Sequence, residues 1–133
     1  MNKDYRKINK PLVSVLMSVY NSESTVSKAI ESVLHQTYTN FEFLIIDDGS
    51  TDNTYETISS YRSDKIKIFK NNENIGLTKS LNYLSKKCNG QLIARQDADD
   101  LSMPEKLNVQ VKYLLSNNLA AVGSRAKILN TNK

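Results

Sequence analysis

From residue 12 to residue 20 the chain is apolar and rich in β-branched side chains, bounded by Pro11 and Asn21. That run reads as a buried strand. The period then changes. Val26, Ala29, Ile30, Val33 and Leu34 recur at i, i+3, i+4, i+7 and i+8 and form one face of a helix, with Ser22 or Ser24 to cap its start. Residues 41–46 make a second apolar strand that ends in Asp47-Asp48-Gly49-Ser50. Asp-Gly can close a hairpin. Residues 51–61, however, are polar with Tyr55, Ile58 and Tyr61 on one helical face. We therefore read a strand-to-helix turn, capped by Ser50 or Asp52.

The alternation continues. Residues 66–69 make a short third strand, and Leu77, Leu81, Leu84 and Cys88 mark a helix that Asn89-Gly90 ends. Residues 92–96 predict a fourth strand. Pro104 suits the first turn of a helix whose buried face is Leu107, Val111, Leu114 and Leu115, and residues 120–123 predict a fifth strand. An order of β-α-β-α-β-α-β-α-β implies parallel strands, right-handed crossovers and helices on both faces. The expected fold is α/β: a three-layer α/β/α sandwich with a mostly parallel sheet. Residues 1–10 are expected to be a flexible N-terminal segment, and 11–133 one domain.

The 133 residues suffice for one core, and a net charge of +4 is spread along the chain without a dense basic run, which argues against nucleic acid as partner. Lys3, Arg6, Lys7 and Lys10 cluster at the N-terminus, where they read as a frayed, solvated end rather than as a weak attraction to an anionic membrane surface. Cys88 is the only cysteine, excluding an internal disulfide and a cysteine-rich zinc site. No apolar run approaches the roughly 20 residues that span a bilayer, and no signal-peptide core is present. The expectation is a soluble, cytoplasmic protein.

Ligands of open parallel sheets bind outside the carboxyl ends of the strands. The first strand delivers Ser18-Val19-Tyr20-Asn21 there, the second Asp47-Asp48, the fourth Asp97-Ala98-Asp99-Asp100. Two carboxylates about 4 Å apart repel by roughly 4 kcal/mol at an effective dielectric near 20. Five acids on one rim therefore call for protonation or for a hard divalent cation. Asp52 reads as a helix cap, Asp47 as turned inward, and Asp100 as a partner of the next helix dipole. Asp48, Asp97 and Asp99 remain as functional candidates. Tyr20 reads equally well as a core aromatic or as a platform beside a base or ribose. No Gly-x-Gly-x-x-Gly and no Gly-Lys-Ser/Thr is present, against dinucleotide cofactors and nucleoside-triphosphate hydrolysis. His35 reads as a surface or capping residue, and Cys88 as core.

Taken in order, these segments resemble the family-2 glycosyltransferases and their glycosyltransferase A fold. The resemblance runs from Pro11 to Gly123. It is carried by Val13-Ser14-Val15 leading to Tyr20-Asn21, by residues 32–38, by Ile46-Asp47-Asp48-Gly49-Ser50-Thr51-Asp52, by Asn74-Ile75-Gly76-Leu77, and by Ile93-Ala94-Arg95-Gln96-Asp97-Ala98-Asp99-Asp100 with Pro104 following. It implies a nucleotide-diphospho-sugar donor, with UDP as the nucleotide, and an Mg²⁺ or Mn²⁺ cofactor. Val19, Tyr20 and Asn21 would line the uridine pocket, and Asp48 would accept a hydrogen bond from the base. Asp97, with Ala98 beside it, would hold the ribose or adjoining sugar. Asp99 would bind the metal together with Asp97, and Lys79 and Arg95 would meet phosphate charge.

The resemblance also implies inversion at the anomeric carbon, a carbohydrate acceptor, and peripheral contact of the full-length enzyme with the inner face of the membrane. Relatives carry Ala-Arg-Asn where this chain has Ser80-Leu81-Asn82, so that arginine's phosphate role is missing. Past Asp100 the chain's one carboxylate is Glu105, in the first turn of a helix and unsuited as base. The chain is thus expected to be a donor-binding part truncated before the acceptor half, its base lying beyond Lys133. A sugar nucleotidyltransferase would need a Gly-rich, Arg/Lys-bearing loop after strand one, and residues 18–24 lack Gly, Arg and Lys. A non-catalytic nucleotide-binding or interaction module remains the other alternative.

Overall fold

The computed structural model describes residues 10–127. The expected basic segment at residues 1–9 lies outside them. Eight elements alternate: β1 (Val13–Val19), α1 (Val26–Leu34), β2 (Phe41–Asp47), α2 (Thr54–Ser59), β3 (Ile66–Lys70), α3 (Leu77–Ser85), β4 (Leu92–Arg95) and α4 (Lys106–Ser116). Every strand pair is parallel, in the order β3-β2-β1-β4. β1 and β2 occupy the centre and are buried on both faces, as in a sheet covered by helices on both sides.

Side-chain alternation splits the core in two. Val13, Val15, Met17 and Val19 of β1 point, with Phe43 and Ile45 of β2, toward the buried faces of α1, α2 and α4. Leu16, Leu44 and Ile46 point the other way, onto Leu84 of α3. Among the described residues α3 is thus the sole helix on its face, and on β4 the side chains of Ile93 and Arg95 stay exposed there. The α1 stripe of Val26, Ala29, Ile30 and Val33 is buried as its spacing predicts.

Four expectations are corrected. The helix read over 51–61 shrinks to six residues, because 51–53 spend their backbone groups on the loop after β1. α3 stops at Ser85 rather than running to Cys88, since the amides of Asn89 and Gly90 are taken by Glu42 and Ser14. Neither Ser22 nor Ser24 caps α1 through its hydroxyl, and the Ser22 carbonyl instead accepts the amides of Thr25 and Val26. Residues 120–123 form no strand. Among the described residues no neighbour offers them a ladder, and Ala120, Ala121 and Gly123 are exposed, too small to bury much apolar area.

At the amino end of the sheet one carboxylate fastens all four strands. Glu42 of β2 accepts the Ser14 hydroxyl of β1 at 2.6 Å, the Lys67 ammonium of β3 at 2.7 Å and the Asn89 amide before β4 at 2.6 Å. Burial acts to raise its carboxyl, but these donors win and hold it at about 2. The opposite rim, where the strands end, is left to the loops.

Candidate functional site

Two strand-to-helix loops are zipped together beside the end of β1. Asn21 stands in the left-handed region at φ 46°, which asparagine tolerates better than most residues. Its amide donates to Ser50 Oγ at 3.0 Å, and its side-chain oxygen accepts the Thr51 amide at 2.8 Å. Asp52 accepts the amides of Glu23 (3.2 Å) and Thr54 (2.9 Å), so it binds the neighbouring loop and the first residue of α2, although the cap position itself is Asn53, which makes no side-chain cap bond. Glu23 returns the contact by accepting the Asn53 amide at 2.9 Å. The residue that precedes this zipper, Tyr20, is 46% exposed. That exposure removes the core-aromatic reading.

Asp48 departs from its expected place. It is 2% exposed, and its carboxylate accepts Asn71 Nδ2 at 2.7 Å and the amides of Ile75 and Gly76 at 3.1 and 2.9 Å. A carboxylate has about four acceptor positions, so three are used by the chain itself. Burial acts to raise its carboxyl, but the donors of Asn71, Ile75, Ser80 and Gly76 outweigh it and hold the group below the ordinary carboxylate range. Asp48 therefore shapes the loop that leads into α3, and it is absent from the cleft lining described below. Asn71 and Ser80, which share a hydrogen bond of 3.0 Å beneath Asp48, escaped sequence reasoning because no local pattern links them to it.

The turn after β4 is braced from beneath by Gln96. This side chain, 3% exposed, donates to the carbonyls of Asp97 (3.1 Å) and Asp100 (2.8 Å) and accepts the Ser102 hydroxyl at 2.5 Å. Gln36 at the end of α1 holds the far side, donating to the Met103 carbonyl at 2.7 Å and accepting the Leu107 amide at 2.9 Å. Lys106 donates to Ser102 Oγ at 3.1 Å. Burial depresses its ammonium, against the attraction of Asp100 and Asp97. The acids of the turn are thereby turned outward: Asp97 pairs with Arg95, and Asp99 has no hydrogen bond or ion pair among the described residues.

These pieces enclose an open cleft of about 460 Å³. Tyr20, Asn21 and Ser18 form one wall, Arg95, Asp97, Ala98 and Asp99 the other, with Ser22, Ser24, Thr25 and Leu77 completing it. Ser18 follows from Tyr20 by the two-residue period of a strand; Leu77 follows only from the packing of α3. Lys79, expected here, is exposed on α3 outside the cleft lining. Val19 is in the core at 1% exposure, with its carbonyl bound by the Asp48 amide at 2.8 Å; its side chain lines nothing.

The expected crowding of five acids on one rim is also corrected. β1 lies between β2 and β4, which sets their axes roughly 10 Å apart. The five acids are divided rather than crowded: Asp47 is buried among the α1 and α2 side, Asp48 is fastened on the α3 side, and the rest project from the turn after β4. Among the described residues no three His, Cys, Asp or Glu side chains gather to hold an ion. The donor set still fits a hard divalent cation, which takes one or two carboxylates and completes its shell with water and substrate phosphate. Asp99 and Asp97 on one cleft wall are such a pair.

The profile of the family described as Glycosyl transferase family 2 matches residues 14–133. Among named relatives, the Escherichia coli UDP-Glc:alpha-D-GlcNAc-diphosphoundecaprenol beta-1,3-glucosyltransferase WfgD is 38% identical over 121 residues, covering 91% of this chain and 48% of WfgD. The Escherichia coli O-antigen biosynthesis glycosyltransferase WbnJ is 35% identical over 127 residues, again 91% of this chain and 48% of the relative. The chain thus spans about half the length of these relatives. Among solved structures, S. aureus TarS residues 1–349 in complex with UDP-GlcNAc superimposes with a TM-score of 0.74 at 27% identity, over 80% of this chain and 32% of that one. A mannosyltransferase of Pyrobaculum calidifontis, solved with GDP-Man and Mn2+, shares the fold with a TM-score of 0.75 at 23% identity, over 80% of this chain and 33% of that one. The α/β architecture, the strand-end motifs and the matched profile agree, and the chain belongs to the family-2 glycosyltransferases.

Proposed function

We propose that this chain is the donor-binding part of a metal-dependent, inverting glycosyltransferase and that its cleft takes a UDP-sugar. The observation that carries the reading is the joint presence, in one cleft at the strand ends, of an exposed aromatic wall at Tyr20 and a charged wall of Arg95, Asp97 and Asp99. Such a pairing suits a ligand with a flat base at one end and a diphosphate at the other. The relative TarS, solved with UDP-GlcNAc, supports the choice of nucleotide.

In this reading Tyr20 and the Asn21 backbone flank the uridine, Ala98 and Asp97 approach the ribose or sugar, and Arg95 meets phosphate. Asp99 and Asp97 would hold Mg²⁺ or Mn²⁺, which would supply neutralising charge to a departing diphosphate. In the whole enzyme an acceptor hydroxyl attacks the anomeric carbon from the side opposite the diphosphate. The new carbon–oxygen bond forms as the old one breaks, the configuration inverts, and the hydroxyl proton passes to a carboxylate base. Glu105 is not that base: it already accepts the Thr37 hydroxyl at 2.9 Å, away from the cleft lining. WfgD acts on a polyprenol-linked sugar, and an acceptor of that kind would bring the whole enzyme to the cytoplasmic face of the membrane. Among the described residues no helix is long and apolar enough to cross it.

Titration calorimetry with UDP, with and without Mn²⁺, tests the reading. Binding is expected to require the cation and to weaken at least tenfold in Asp99→Ala. Binding that ignores both the metal and this substitution would overturn it. A nucleotide-binding module without catalysis is the second reading. Sugar transfer by a longer form of the protein would eliminate it.

A further inference from the structure

We infer that Arg95 couples the cation to the diphosphate: it guards Asp97 until a divalent cation takes that carboxylate, and then turns its guanidinium to phosphate. The inference rests on the donor-binding reading above. Arg95 closes β4 and Asp97 follows two residues later in the turn after it, close enough for the two side chains to meet. Arg95 Nε donates to Asp97 Oδ1 at 2.8 Å and Nη2 donates to Oδ2 at 3.0 Å. Both carboxylate oxygens are engaged by one planar fork. A dication on the same carboxylate would stand beside the guanidinium, and like charges at that range repel. Asp97 cannot serve both cations equally well.

The exchange is easy because the pair is wet. The two side chains are 56% and 40% exposed, and ion pairs in such surroundings are weak and screened by salt. It also has a direction. Among the cleft's lining residues Arg95 is the one cation, facing the two carboxylates of Asp97 and Asp99. The walls therefore carry one net negative charge, which repels a diphosphate. A divalent cation reverses that sign. It also displaces a guanidinium whose fork matches phosphate as well as it matches carboxylate. Among the described residues no other acid pairs with Arg95, so phosphate is its natural next partner. The cation then strengthens diphosphate binding in two ways, by its own charge and by releasing Arg95, and linkage makes the effect reciprocal.

The test compares the chain with its Arg95→Met and Arg95→Lys variants, folding being checked by circular dichroism. Calorimetry measures Mn²⁺ alone, then UDP at zero and at saturating Mn²⁺. Arg95→Met is expected to bind Mn²⁺ alone about two- to fivefold more tightly, the gain from removing a weak competing ion pair. It should bind UDP at saturating Mn²⁺ about tenfold more weakly. Arg95→Lys should recover part of the UDP affinity, since charge remains and the fork is lost. Opposite signs for the two ligands are not produced by local unfolding, which weakens both. Mn²⁺ affinity unchanged or reduced in Arg95→Met, or UDP affinity unchanged, overturns the coupling. A wild-type chain that binds no UDP at any metal concentration would instead overturn the donor-binding reading itself.

Discussion

Replacing Glu42 by Gln removes the one charge that fastens all four strands. The carboxyl is held at about 2, against an ordinary 4.5, a difference equivalent to about 3 kcal/mol. The Glu42 side chain is 10% exposed but its partner Lys67 is 46% exposed, so solvent screens that share and roughly 2–3 kcal/mol is the expected loss. Because the folded-state value lies below the unfolded one, the stabilisation is whole above 4.5 and disappears as pH falls toward 2. Urea denaturation of both proteins at several pH values between 2 and 7 isolates the effect, since other acids cancel in the difference. At pH 7 Glu42→Gln should be less stable by the full amount, and near pH 2 the two curves should converge. A deficit of the same size at both ends of the range would refute the reasoning. It would mean that the second acceptor oxygen, which an amide nitrogen cannot replace, and not the charge, holds the Asn89-Gly90 turn.

Two further substitutions address the loops that frame the cleft. Gly49 has φ +72°, and a Cβ there would lie 2.5 Å from the backbone of Glu73. Gly49→Ala should cost roughly 2–4 kcal/mol, seen as a fall of about 8 °C or more in the melting midpoint. A midpoint within 2 °C of wild type would contradict the close approach. At Asn21, Gly keeps the left-handed backbone and loses only the acceptor for Thr51, costing about 1 kcal/mol. Ala loses both and should cost about 2 kcal/mol. Denaturant midpoints that place Asn21→Gly below Asn21→Ala would reverse the argument. With the Asp99→Ala and Arg95→Met titrations, these substitutions cover the frame and the floor of the site separately.

The sequence by itself determined whatever depends on local periodicity. Apolar β-branched runs make β1 and β2 central, and helical spacing puts Val26, Ala29, Ile30 and Val33 against the sheet. Alternation of the two periods implies parallel strands, and hence a site at their carboxyl ends, where Tyr20, Arg95, Asp97 and Asp99 line one cleft. Family motifs read in order identify the glycosyltransferase. Tertiary structure alone decided how those ends are arranged. Strand order inserts β1 between β2 and β4, so Asp48 is fastened on the α3 side while Asp99 lines the cleft. Burial turns Asp48 into a brace for residues 71–76, and the packing of α3 brings Leu77 to the cleft while leaving Lys79 in solvent. The fifth strand failed for the same reason: a ladder needs a neighbour. Periodicity records which side of an element is buried, but it holds no information about which other element buries it.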